Sequence, residues 1–140
     1  MTFLDLISAI EETAKSQPNI HTLVGVDVTR LNALPNVKYS VFAWTAGQHR
    51  REGNVMFYNL NLYYIDRLTT DSRNEIAIQS AGITILNNII DTLLEEHQAE
   101  LELYGNIYYN DFEQRFSDLC AGVYMTLTIA VPINDCFELY

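Results

Sequence analysis

Apolar and polar positions alternate along this chain with two different periods. Phe3, Leu6, Ile7, Ile10 and Ala14 recur at helical spacing, with Asp5, Ser8, Glu11, Glu12 and Lys15 on the opposite side. Thr2 is the expected cap of this helix, and Gln17-Pro18-Asn19 is its expected end. Residues 18–36 mix Gly25 and Pro35 with a short apolar run, Leu23 to Val28, and read as a loop holding one short strand. Val37, Tyr39, Val41 and Ala43 then alternate with Lys38, Ser40, Phe42 and Trp44. Met56, Tyr58, Leu60, Leu62 and Tyr64 alternate with a face that contains Asn59 and Asn61. These two runs predict strands.

Ser72-Arg73-Asn74-Glu75 has capping-box spacing and predicts the start of a long helix over about residues 74–97. At 1.5 Å per residue such a helix is roughly 36 Å long. Ile78, Leu86, Ile89, Ile90, Leu93 and Leu94 give it a broad apolar face. Gly82 lies inside it, where glycine costs roughly 1 kcal/mol against alanine, so either close packing on a sheet or a break in the helix is expected there. Leu101 to Tyr109 alternates weakly, whereas Val123, Met125, Leu127, Ile129 and Val131 form one clean face of a last strand. The order is helix, two strands, long helix, two strands. That predicts an α+β fold, a single domain over residues 1–140. Its antiparallel sheet, with a long β-hairpin, is covered on one face by the N-terminal helix and the long central helix.

Between the first two strands lies AGQHRREGN, which reads as the hairpin tip and would expose His49, Arg50 and Arg51. They are read first as solvated gatekeepers, and otherwise as contacts to something anionic. On strand parity, Trp44, Phe57 and Tyr63 fall on the non-core side and are candidates for an adhesive surface.

Composition bounds the rest. A 140-residue chain with 49% hydrophobic residues is long enough to bury a core and is not compositionally disordered. Its apolar runs are interrupted before membrane-spanning length, and residues 1–20 lack signal-peptide organisation, so neither membrane insertion nor secretion is expected. The net charge of −10 is unevenly spread. Residues 1–29 hold four acids and one lysine, residues 30–73 six basic side chains and three acids, and residues 74–140 eleven acids and one arginine. Such a chain is a poor general binder of nucleic acid, which needs a basic face. Opposite-sign segments can instead pair between copies.

Candidate chemistry is sparse. Cys120 and Cys136 lack metal-type spacing and read as free thiols in preference to a disulfide or ligand pair. His21, His49 and His97 are far apart, and Glu95-Glu96-His97 reads as a helix end whose histidine favours the C-terminal dipole. The carboxylates Asp91, Glu95, Glu96, Glu100 and Glu102 read as a solvated face before a cation site. The six glycines are scattered, and the serines lack a hydrolase elbow. No catalytic residue, metal ligand or cofactor site is expected, and no enzymatic activity.

The segment FEQRFSDLCAGVYMTLTIAVPINDC carries a resemblance. Phe112, Arg115, Phe116, Ala121, Gly122 and Pro132 resemble the C-terminal signature of a family of small proteins from tailed bacteriophages infecting gut Bacteroidetes, including crAss-like phages. Gln114 stands where that family carries an acid, and Val123 where it carries an aromatic residue. Upstream, Gly25-Val26-Asp27, a proline-led strand at Pro35 and a strand closing on Ile65-Asp66 extend the likeness. The order of elements is similar to that of tail-terminator and tail-completion proteins. The resemblance implies a structural virion protein at the head–tail junction or tail, assembled in the host bacterial cytoplasm. It further implies a ring of six or twelve copies, neighbours among portal, connector and tail ring proteins, and possible non-specific contact with packaged DNA.

In such a ring Arg50 and Arg51 of one copy would meet the acidic helix end near Glu95 and Glu96 of the next, while Phe112, Arg115 and Phe116 anchor the turn into the last strand. The aromatics are equally readable as core, and Arg115 as a neutraliser of Asp111 or Asp118. The competing expectation, from another class, is an acidic inhibitor that mimics DNA and blocks a host nuclease.

Overall fold

The computed structural model describes residues 1–25, 38–69, 74–115 and 119–133. Val26, Asp27, Pro35, Ser72, Phe116 and Cys136 lie outside them, as does the side chain of Arg115. Helix α1 spans Phe3–Lys15 and α2 spans Glu75–Glu96. The strands are β1 (Thr22–Gly25), β2 (Val41–Ala46), β3 (Arg50–Glu52), β4 (Val55–Arg67), β5 (Glu102–Arg115) and β6 (Leu119–Pro132). They form one sheet in the order β1-β2-β4-β6-β5, with β3 also paired to β4. The chain is therefore α+β with a mostly antiparallel sheet, as its periodicity predicts. The exception is β1, which runs parallel to β2.

Helix α1 starts on a complete capping box. The Asp5 amide donates to Thr2 Oγ1 at 3.1 Å, and the Thr2 amide donates to Asp5 Oδ2 at 2.9 Å. Its apolar stripe, Leu6, Ile7, Ile10 and Ala14, is buried against the sheet and α2. Helix α2 begins at Glu75, within a residue of the expected start; Asn74 is its N-cap, and the Asn74 side chain makes no capping bond to the helix, while Ser72 lies outside the described residues. The Asn74 amide is used outside the helix: its Nδ2 donates to the Arg67 carbonyl, and its Oδ1 accepts from the Thr69 amide. That ties the exit of β4 to the entry of α2. At its other end His97 is the cap, its amide donating to the Leu93 carbonyl at 3.1 Å.

By length and composition alone α2 is apolar enough to cross a membrane, a test that the core helix of a globular fold also passes. Its apolar face is nevertheless occupied, because Ile78, Ile85, Leu86, Ile89, Ile90 and Leu93 are all buried in the core. Gly82 shows how close the packing is. A β-carbon there would lie 2.5 Å from Val123 Cγ1 and 2.9 Å from Tyr64 Cδ2. Close approach, and not a break in the helix, accounts for the glycine.

The core lies between the helices and one face of the sheet. Phe42, Leu60, Leu62, Met125, Leu127 and Ile129 point into it from β2, β4 and β6. Each such fully buried side chain contributes about 1.5–3 kcal/mol of transfer free energy. Trp44 belongs to the same face. It is buried, and its Nε1 donates to the Glu11 carboxylate on α1 at 2.9 Å. Its placement on the outer parity is therefore corrected. Strand β2 is buried on both faces at this point, so alternation carries no information about which side is the core.

The hairpin tip is also redrawn. AGQHRREGN is not one loop, because the chain folds back within it to form β3, and the turn into β4 is at Gly53-Asn54, with Gly53 at φ +59. His49 is half-buried. Its ring packs on Phe3 and Tyr58, with centroids at 4.9 and 5.2 Å, and its Nδ1 accepts from the Asn59 amide.

Candidate interaction face

Among the described residues, no helix covers the second face of the sheet. It is built by alternate residues of five strands, and the register lays them out in rows. One row runs Arg50, Phe57, Ala130, Glu102. The next holds Asn59, Thr128 and Tyr104, followed by Thr45, Asn61, Thr126 and Tyr108. Beyond these come Ala43, Tyr63, Tyr124, Asn110 and then Val41, Ile65, Gly122, Phe112.

The two middle rows are cross-linked by their own side chains. Thr126 Oγ1 donates to Asn61 Oδ1 at 2.7 Å, and Thr128 Oγ1 donates to Asn59 Oδ1. Asn61 Nδ2 reaches Thr45 Oγ1 at 3.3 Å, and that hydroxyl lies 3.3 Å from Tyr63 OH. Amides and hydroxyls on the interior strands are thereby held in fixed rotamers, which makes the surface stiff as well as polar.

Aromatic groups flank this band on both sides. Tyr63 stands 5.2 Å from Tyr124 and 6.2 Å from Phe112, centroid to centroid. Phe112 lies over Gly122, where a β-carbon would come within 2.9 Å of the ring and 2.0 Å of the Tyr64 carbonyl. Below these rings Val41, Ala43, Ile65 and Cys120 make a second, small apolar cluster. Phe112 therefore covers β6 from near the C-terminal end of β5, and the turn that follows lies outside the described residues. Ala121 faces the main core, Gly122 the open face, and Pro132 ends β6 in an exposed position. At the other end Arg50 lies 4.0 Å over the Phe57 ring and 5.4 Å from that of Tyr104, and it is ion-paired with Glu52.

Of the positions expected to adhere, Phe57 and Tyr63 are on this face, and Trp44 is not. Phe57 is itself buried beneath Arg50 and Tyr104, so what it presents is the stack and not the bare ring. Arg50 and Arg51 alternate across β3: Arg50 joins the open face, whereas Arg51 has the opposite parity and donates through Nε to the Gly53 carbonyl. Glu95 and Glu96 are exposed at the end of α2. Glu96 lines a groove of about 420 Å³ between the helices, with Asp5, Glu12, His97 and Glu100. Tyr104, Tyr108 and Asn110 were not singled out by sequence, because β5 alternates too weakly to reveal its faces, and Tyr124 was passed over as the non-core parity of β6.

Charge is distributed against this face. The positions it includes are Arg50, Glu52, Arg67 and Glu102, two of each sign. The acids of α1 and α2, with Asp111 and Glu113 of β5, stand on the helix side. There, Glu75 shares a hydrogen bond with Glu113, and Asp111 is close by. The shared proton, then slight desolvation, then the two neighbouring charges hold the Glu75 carboxyl above its ordinary value. Tyr109 spans the same edge by donating its hydroxyl to Asn87 of α2, and its phenol is raised chiefly by burial.

Among the described residues, no group of three or more His, Cys, Asp or Glu side chains is placed to hold a metal ion. Buried Cys120 lies on the small cluster with its Sγ 3.4 Å from Tyr39 OH. No family model matches the sequence, and no curated protein is similar to it.

Proposed function

We propose that this chain is a structural subunit of a tailed-bacteriophage particle, a non-catalytic protein that assembles as a ring at the head–tail junction. The observation that carries the reading is the sheet face that no helix covers among the described residues: stiffened, rich in tyrosine and amide side chains, and electrically balanced in a protein of net charge −10. Tyrosine and arginine enrichment with depletion of acids is the composition of protein–protein contact surfaces. The resemblance of Phe112, Arg115, Phe116, Ala121, Gly122 and Pro132 to small tailed-phage proteins supplies the kind of assembly. Copies related head to tail close into a ring when their rotation permits.

The test is assembly state, by light scattering and electron microscopy, of the protein alone and mixed with a portal complex. Closed rings are expected. A strict monomer under both conditions overturns the reading.

A second reading, an inhibitor that presents carboxylates in place of DNA phosphates, draws on the acidic groove between α1 and α2. Inhibition of a nuclease by the purified monomer would favour it over the ring.

A further inference from the structure

We infer that the open sheet face is the surface through which one copy of this chain holds a second copy. The inference rests on the ring reading and deepens it by assigning this face to the contact between copies.

Size is the first argument. Six rows along β4, from Phe57 to Arg67, span about 34 Å at the usual strand rise, and four strands side by side span about 19 Å. The footprint is therefore roughly 650 Å², somewhat below the ~800 Å² that each partner gives to a standard stable interface. A contact of that size lies at the low end of the range that holds two chains together.

Charge is the second. A copy carrying −10 repels another wherever acid meets acid. The helix side presents Asp5, Glu12, Glu96 and Glu100 around one groove, and the β5 edge adds Glu75, Asp111 and Glu113. Two copies joined through those surfaces pay like-charge repulsion at close range. A contact that includes the open face avoids it on one side, because that face carries Arg50 and Arg67 against Glu52 and Glu102. The arginine at its rim also offers the neighbour's carboxylates a partner already fixed over Phe57 and Tyr104.

The third argument is preorganisation. Binding costs side-chain ordering, and here Thr45, Asn59, Asn61, Thr126 and Thr128 are already ordered by one another. Tyr104 and Tyr108 remain 51% and 61% exposed, so on this face their rings are available to a partner.

The test uses sedimentation of the full chain across a wide concentration range and a range of salt. Tyr104→Glu/Tyr108→Glu puts two acids on the face at exposed positions of an edge strand, and Thr126→Glu puts one at its centre. Glu95→Gln/Glu96→Gln is the control on the helix side, and circular dichroism verifies folding of each. Self-association is expected to weaken at least tenfold in both face variants and to persist in the control. Wild-type assembly that survives both folded face variants overturns the inference and leaves the ring reading standing. A wild type that stops at a closed dimer, lost in the face variants, supports the surface and overturns the ring. A wild type monomeric throughout, alone and with a portal complex, overturns both.

Discussion

Gly82 of α2 and Val123 of β6 touch so closely that the helix has no room for a side chain at that position: a β-carbon on Gly82 would stand 2.5 Å from Val123 Cγ1. Glycine in a helix interior gives up about 1 kcal/mol against alanine. Overpacking a well-filled core costs about 1–3 kcal/mol, and neither the stiff valine nor the Tyr64 ring beside it can swing aside cheaply. Gly82→Ala is therefore expected to lower stability by up to about 2 kcal/mol, read from chemical denaturation. A stabilised variant would mean that α2 sits farther from the sheet than this contact requires.

The single tryptophan links α1 to the sheet. Trp44 Nε1 donates to the Glu11 carboxylate at 2.9 Å, and the indole is 8% exposed. A hydrogen bond to a charged group contributes about 1.5–3 kcal/mol. Trp44→Phe and Glu11→Ala should each destabilise the fold, and the double variant should lose less than the sum of the two. Additive losses in that double-mutant cycle would show that the pair does not interact in solution.

Two carboxylates give opposite pH signatures. Glu75 binds its proton more tightly in the folded chain, chiefly through the bond it shares with Glu113, so it costs the fold stability as pH rises from the ordinary glutamate value of 4.5 through the raised one. Asp5 is lowered, first by the Thr2 amide and then by the Thr2 hydroxyl. Its stabilisation is present above the ordinary value of 3.8 and is lost as pH falls through the lowered one. Glu75→Gln should therefore raise the melting temperature at pH 7, with the gain vanishing below 4.5. Asp5→Asn should lower it at pH 7, with the loss closing in strong acid. Melting curves across pH decide both, and a gain for Glu75→Gln that persists in acid would contradict the shared proton.

Elements with one wet and one dry face were legible in the sequence. α1, β4 and β6 alternate cleanly because one side of each meets the core. β2 was legible as a strand but not in its facing, since Val41, Phe42, Ala43 and Trp44 are all buried. β3 was missed because Arg50-Arg51-Glu52 pairs by backbone alone at the end of the sheet, without an apolar residue to mark it. β5 was underestimated in length because an edge strand with both sides partly exposed has no hydrophobic period, and its register slips between Tyr104 and Tyr108, around Gly105 at φ +74. The open face shares that difficulty: its rows join residues from five strands, so Asn59 and Asn61 were visible as a polar parity while their partners Thr126 and Thr128 lay some 70 residues away.

Arg50 and Arg51 are neighbours in sequence and opposites in structure. As members of a solvated tip they would be equivalent, each altering stability by less than about 0.5 kcal/mol when replaced. β3 separates them, because successive side chains of a strand point to opposite faces. Arg50 stands 4.0 Å over Phe57 and 5.4 Å from the centre of Tyr104, and pairs with Glu52, whereas Arg51 is exposed and bonds only locally to the Gly53 carbonyl. An exposed cation–π contact contributes about 0.5–1 kcal/mol, and a surface ion pair about 0–1. Arg50→Ala is expected to cost about 1 kcal/mol and Arg51→Ala less than half of that. The two should part in assembly too: removing Arg50 uncovers Phe57 on the proposed contact face and changes the affinity between copies, while removing Arg51 leaves that affinity unaltered. Measuring unfolding and sedimentation on both single variants separates the cases. Equal effects of the two substitutions in both experiments would return β3 to a loop and remove Arg50 from the interface.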